Sequence, residues 1–167
     1  MAVTLQADPT LGGFNAYCTR EFANIFLLES RLFALTDWQA VTNKDAAIMW
    51  ATRELDRLSY IGTRSTSSNR HEWPRISVPD VASNEIPVQL QDATAELAYH
   101  LGKVDRSVDS SQEKYQELRA GPITLKYRPT PTGRELTSEM PDTVRGLLKR
   151  FLAAGSSGSL NRKAVRV

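Results

Sequence analysis

Residues able to do covalent or proton-transfer chemistry are sparse in this chain of 167 residues. Cys18 is its single thiol. It sits just before a helix start, between Tyr17 and Phe22, with no base near it in sequence. Its expected role is that of a small buried hydrophobe. The two histidines, His71 and His100, have no Cys or His at metal-ligand spacing around them. His100 follows Glu96 by one helical turn and is expected to form a surface ion pair with it. Acidic pairs such as Glu54/Asp56 and Glu113/Glu117 stand among basic neighbours, which fits solvated faces better than a general acid and base. Neither GxxxxGK[ST] nor GxGxxG occurs, and Gly12-Gly13 reads as a turn. No catalytic, metal-binding or cofactor-binding residue is expected, and the chain reads as a non-enzyme.

Two segments offer binding chemistry instead. Arg64, Arg70 and Arg75 surround His71 and Trp73, and a basic, aromatic loop of this kind can hold phosphates and stack a base. Glu72 interrupts the patch, however. The favoured reading packs Trp73 on the body and leaves the arginines solvated or touching a neighbouring subunit. The second segment is the tail. Gly155-Ser-Ser-Gly-Ser159 is a flexible linker, and Asn161, Arg162, Lys163, Ala164, Val165, Arg166 and Val167 follow it. The β-branched residues alternate, so the tail can add a strand to a partner's sheet edge, its arginines supplying charge pairs. A disordered tail or an appended linker is the alternative.

The elements that position these residues follow from pattern. Thr19 is the expected N-cap of a helix from about Arg20 to Ser30, with Phe22, Ile25, Phe26 and Glu29 on one face. Thr42 opens a second helix with Asp45 near its positive end, a buried stripe of Ala47, Trp50, Ala51, Leu55 and Leu58, and Gly62 as its end. Residues 63–70 are polar, without periodicity, and read as a mobile loop. Pro87 starts a third helix running to about Leu101, with Leu90, Thr94, Leu97 and Leu101 inward. Tyr115–Arg119 and Ile123–Arg128 flank Ala120-Gly121-Pro122 as a hairpin. Pro141-Asp142 opens a last helix with Val144, Leu147, Leu148 and Phe151 on one stripe. The expected fold is mainly α, a small bundle of about four helices with one β-hairpin, long loops and a flexible tail. Residues 1–154 form the body and 155–167 a basic arm.

Composition agrees with such a body. Hydrophobic residues make up 41% and charged residues 24%, enough for a core without disulfides. The net charge of +2 is unevenly spread. Residues 1–75 balance, residues 76–140 are acidic, and residues 141–167 carry six basic groups against one acidic. No run approaches the roughly eighteen apolar residues that cross a bilayer. Met1–Ala7 has no positive charge and Asp8-Pro9 interrupts it, unlike a secretory leader. A soluble protein of a reducing compartment, or of a particle assembled in one, is expected, with no membrane partner.

Several segments in series resemble the small head–tail connector (adaptor, head-completion) proteins of tailed bacteriophages. Leu11-Gly-Gly-Phe-Asn-Ala-Tyr17 resembles their opening, and Ala51-Thr-Arg-Glu-Leu-Asp56 their alanine-rich second helix with its Asp-containing turn. Trp73-Pro74-Arg75 resembles their Trp-Pro-Arg loop. The stretch from Glu85 to Ala98 is similar to their third helix, and Gly121-Pro122 to Tyr127 to their hairpin. Order and spacing agree over about residues 8–152. Arg64 to Arg70 stands in place of a shorter loop, and Cys18-Thr-Arg-Glu21 in place of small residues.

The resemblance implies a non-enzymatic virion protein at the portal vertex, made in the host cytoplasm. It would form a closed homo-oligomeric ring, a dodecamer, under the portal protein, and offer a docking surface to a downstream connector or tail protein. Double-stranded DNA would pass through its lumen without sequence readout, which a neutral body suits. The tail from Asn161 to Val167 would bind the portal, with avidity from repetition around the ring. Such proteins are sometimes labelled as primosomal-type single-stranded-DNA-binding proteins, a label set aside here in favour of the connector. The alternative is a single-stranded-DNA-binding replication factor using the loop around Trp73, whose salt-sensitive binding is lost on Trp73→Ala. A regulatory helical module is a third reading.

Overall fold

The Thr19 side chain accepts a hydrogen bond from Phe22 N–H at 3.1 Å and so begins α1, Arg20–Leu28. The computed structural model describes residues 4–30, 34–103, 117–120, 123–126 and 140–153. A 3-10 turn, Thr36–Ala40, precedes α2, Lys44–Leu55. Two short strands follow, β1 (Thr63–Arg64) and β2 (Arg75–Ile76), then α3 (Val88–Lys103). The remaining elements are β3 (Glu117–Ala120), β4 (Ile123–Lys126) and α4 (Asp142–Leu148). The fold is mainly α, four helices with an antiparallel hairpin, as the sequence predicts. Two units can be told apart. One comprises Met1–Val104 with Met140–Ser159, and the other Asp105–Glu139 with Leu160–Val167. In the second, β3 and β4 pair antiparallel with Ala120 opposite Ile123, the register a two-residue Gly121-Pro122 connection allows. The basic arm, 155–167, lies outside the described residues.

All four helices belong to the first unit, and α3 is its axis, packing against α1, α2 and α4. Leu90, Ala93, Thr94, Ala95, Leu97 and Ala98 are all buried, a helix covered nearly all round. Its alanines let neighbouring helices approach closely. The Thr94 hydroxyl donates to Leu90 O at 2.7 Å, so this fully buried hydroxyl is satisfied. From α4, Val144 and Leu148 are buried, with Phe151 just beyond them.

The two N-terminal helices present different faces from those expected. On α1 the buried residues are Ala23 and Leu27, while Ile25 is 53% exposed and Phe22 and Phe26 only flank the core. A stripe drawn through Phe22 and Ile25 is therefore displaced by about one residue. On α2 the buried residues are Ala47, Ile48, Ala51, Thr52 and Leu55, and Trp50 is turned outward. The helix also stops at Leu55 rather than at Gly62. Gly62 has φ +73° and instead turns the chain into β1, where a Cβ would stand 2.3 Å from Ile76 O. Residues 63–70, expected as a loop, contain β1, which pairs with β2 through Thr63 opposite Ile76 and Arg64 opposite Arg75. Ser65 N–H to Pro74 O at 3.0 Å continues that ladder.

A buried polar node fastens this two-stranded segment to α2. The Tyr17 hydroxyl donates to Asp56 Oδ1 and accepts from Trp73 N–H at 3.2 Å. Asp56 Oδ1 also accepts from Glu72 N–H at 3.1 Å, while Asp56 Oδ2 lies 2.6 Å from His71 Nδ1. Facing a carboxylate, Nδ1 is the protonated ring nitrogen. Burial, reinforced by the Asp56 charge, pushes the Tyr17 phenol well above its ordinary range and keeps it a donor. At the other side of the ring, Tyr17 N–H donates to Thr52 Oγ1 at 3.1 Å, and that hydroxyl donates to Ile48 O at 3.0 Å.

Tyr17→Phe removes the Asp56 donor and leaves the Trp73 N–H without its acceptor, so unfolding in urea should show a loss of about 1–3 kcal/mol. An unchanged midpoint would show that the node carries no stability. Gly62→Ala should cost more than about 1 kcal/mol through positive φ and the Ile76 carbonyl, read in the same experiment. A variant as stable as the parent would contradict the close approach.

Candidate functional site

The β1–β2 segment holds all four residues that the sequence offers for nucleic-acid or subunit contact, and it divides them into two classes. Arg64 and Arg70 are exposed. Arg64 Nη1 donates to Asn69 O at 3.3 Å, and its Nε lies 3.8 Å from Glu72 Oε1, contacts that leave the guanidinium 44% exposed. Arg64 ends β1 and Arg70 follows in the β1–β2 connection, whose polar side chains line a groove of about 310 Å³ with those of two other segments. Thr10, Ser65, Thr66, Asn69, Ser83 and Asn84 supply its hydroxyl and amide groups. Such groups donate to sugar and phosphate oxygens without reading sequence.

Arg75 and Trp73 belong to the interior. Arg75 is 7% exposed, and every guanidinium nitrogen is used. Nε donates to Ile61 O at 2.9 Å, Nη2 to Gly62 O at 2.7 Å and Tyr60 O at 3.3 Å, and Nη1 to Glu72 Oε2 at 2.6 Å. It ties the chain after α2 to β2, and its charge is offset by Glu72. A DNA contact by Arg75 is therefore corrected to a structural role. Trp73 is fully buried, its ring packed edge-on against Tyr60 at 5.6 Å and Phe151 at 5.4 Å between centroids. The strand-like pairing of residues 59–61 with 151–153 holds Phe151 there, through Ile61 N–H to Phe151 O at 2.8 Å and Ala153 N–H to Ser59 O at 2.9 Å. Trp73 packs on the body, the favoured sequence reading, and offers no face to a base. The expectation that Trp73→Ala reports a stacking contact is corrected accordingly.

The other chemically capable residues are also accounted for. Cys18 is buried, and burial pushes its thiol up to about 12, so no thiolate nucleophile is present near neutrality. His71 belongs to the Tyr17–Asp56 node. His100 Nε2 lies 3.6 Å from Glu96 Oε1, but Glu96 is buried on α3, so the pair is no surface ornament. Among the described residues no three His, Cys, Asp or Glu side chains cluster as a metal site, and no helix is long and apolar enough to cross a membrane. The tail residues Asn161, Arg162, Lys163, Ala164, Val165, Arg166 and Val167 lie outside the described residues.

One exposed aromatic escaped the sequence reading, which places it in the core stripe of α2. Trp50 is 41% exposed, with the exposed Arg53 one turn further on and Arg57 beyond it. The signal that distinguishes it is local and faint, an α2 stripe in which Ile48 and Thr52 compete with Trp50 for the inward direction.

Comparison with known proteins bears on the resemblance to head–tail connectors. A search of curated proteins and one of solved structures give no match. A family model does match, over residues 1–167, and its description is "Putative DnaT-like ssDNA binding protein". This overturns the resemblance to head–tail connectors. With it go the connector function, the portal and downstream connector or tail partners, the dodecameric ring and the double-stranded DNA in its lumen. The motifs behind that resemblance, Tyr17, Asp56, Trp73 and Arg75 among them, are buried or bonded within the fold, and therefore specify packing rather than partner. The chain belongs to the DnaT-like ssDNA binding protein family.

Proposed function

We propose that the chain is a single-stranded-DNA-binding replication factor. The observation that carries this reading is the family match over residues 1–167. The β1–β2 segment supports it with exposed Arg64 and Arg70 beside a groove of hydroxyl and amide groups. The role is binding, not catalysis. Phosphate contacts of this kind are electrostatic and independent of sequence, so affinity falls as salt displaces the advantage of counterion release. Where the chain is made, in the cytoplasm, is where it meets single-stranded DNA during replication.

The geometry assigns different outcomes to the four residues. Arg64→Ala and Arg70→Ala should each weaken binding of a labelled deoxythymidine oligonucleotide and reduce the slope of log Kd against log salt by about 0.7, with thermal stability unchanged. Trp73→Ala should instead lower stability by about 3–5 kcal/mol, because it empties a fully buried site. Fluorescence anisotropy at several salt concentrations and thermal melts separate the two effects. No salt-sensitive binding of any oligonucleotide by the parent chain would reject the proposed function.

A further inference from the structure

The three tryptophans have different environments. Trp38 is fully buried and its indole N–H donates to Asn24 Oδ1 at 2.8 Å. Trp73 is fully buried as well. Only Trp50 turns a large part of its ring to solvent, from a helix whose opposite side is locked into the core. That ring is held rather than loose. Trp50 Nε1–H donates to Glu54 Oε1 at 3.1 Å, and Glu54 Oε2 accepts from Arg57 Nη1 at 2.9 Å. Both oxygens of one carboxylate are thus occupied, one by the aromatic and one by a cation that is itself 64% exposed. Residues 50, 53 and 54 share a face of α2, with Arg53 exposed, and Glu54 draws Arg57 to that face from the turn just past the helix end.

We propose that this outward face of α2 is a base-stacking platform for single-stranded DNA. Trp50 takes one base on its ring, and Arg53 and Arg57 take the flanking phosphates. Glu54 is a positioning residue: it fixes the plane of the indole and holds Arg57 next to it until a phosphate replaces the carboxylate. The inference rests on the single-stranded-DNA reading above. The charge of the face favours this occupant, since two arginines outnumber the one carboxylate, which is already engaged by both partners. A stacked aromatic is tolerant of every base, and adjacent guanidinium groups supply the backbone attraction. No sequence preference follows from it.

The test uses the full chain and a labelled deoxythymidine oligonucleotide of about sixteen nucleotides, long enough for a single-strand site. Trp50→Ala should weaken binding on the order of tenfold or more without lowering the melting temperature, while Trp50→Phe, which keeps a stacking ring, should stay within a few-fold of the parent. Glu54→Gln keeps an oxygen for the indole N–H but releases Arg57. It should bind more tightly at low salt, with a salt slope steeper by about 0.7. In the parent chain, saturating oligonucleotide should shield the exposed tryptophan from acrylamide quenching, a readout that needs no variant. Parent-like affinity of Trp50→Ala, while Arg64→Ala remains impaired, overturns the platform and leaves the proposed function standing. Unchanged quenching overturns it too, and would turn attention to a protein partner for this face. Failure of the parent chain to bind the oligonucleotide rejects the proposed function itself.

Discussion

The Asp56 carboxylate is the constraint around which the first unit is arranged. It sits just past the end of α2 and receives the Tyr17 hydroxyl, the Glu72 N–H and His71 Nδ1. Two distant stretches of chain thereby converge on the two oxygens of a third. A partly buried charge is costly unless it is hydrogen-bonded, and here the donors come from the opening segment and from the chain leading into β2. Phe14 closes over the node, edge-on to His71 at 5.3 Å between centroids. Loss of any donor exposes the others to an incomplete shell, so the node behaves as a unit.

Downstream of Asp56, the same logic fixes which side chains remain available. The node draws His71 and the Trp73 backbone inward, Trp73 then fills the space between Tyr60 and Phe151, and Arg75 caps the carbonyls of residues 60–62. The polar connection between β1 and β2 is left exposed, with Arg64 at its start on β1 and Arg70 within it. A rigid base under a polar turn is a common arrangement for binding, because the scaffold bears the cost of order while the turn keeps its polar groups for a ligand.

The resemblance to connector proteins failed for a physical reason. Tyr17, Asp56, Trp73, Arg75 and the apolar positions of α3 serve the packing of this fold, and packing residues say little about what a chain binds. Exposed residues such as Arg64, Arg70 or Trp50 are under a weaker packing constraint and form no motif. Segments that specify the interior cannot identify what meets the exterior.

Local rules decided much of this protein directly from its sequence. The Thr19 cap, the proline starts of α3 and α4, the inward stripe of α3 and the existence of the hairpin each depend on a few neighbouring residues, and all were legible. The pairing of β1 with β2 was not, because two-residue strands carry no periodicity and are held by Arg75 and the node. Nor was the direction of α2. Trp50 and Ile48 lie on adjoining lines of the same helix, and only the position of α3 decides which line is covered. Burial therefore turned Trp50 out of its expected core stripe, while Trp73 went inside as expected, because burial depends on which surfaces meet in space and not on the spacing along one helix.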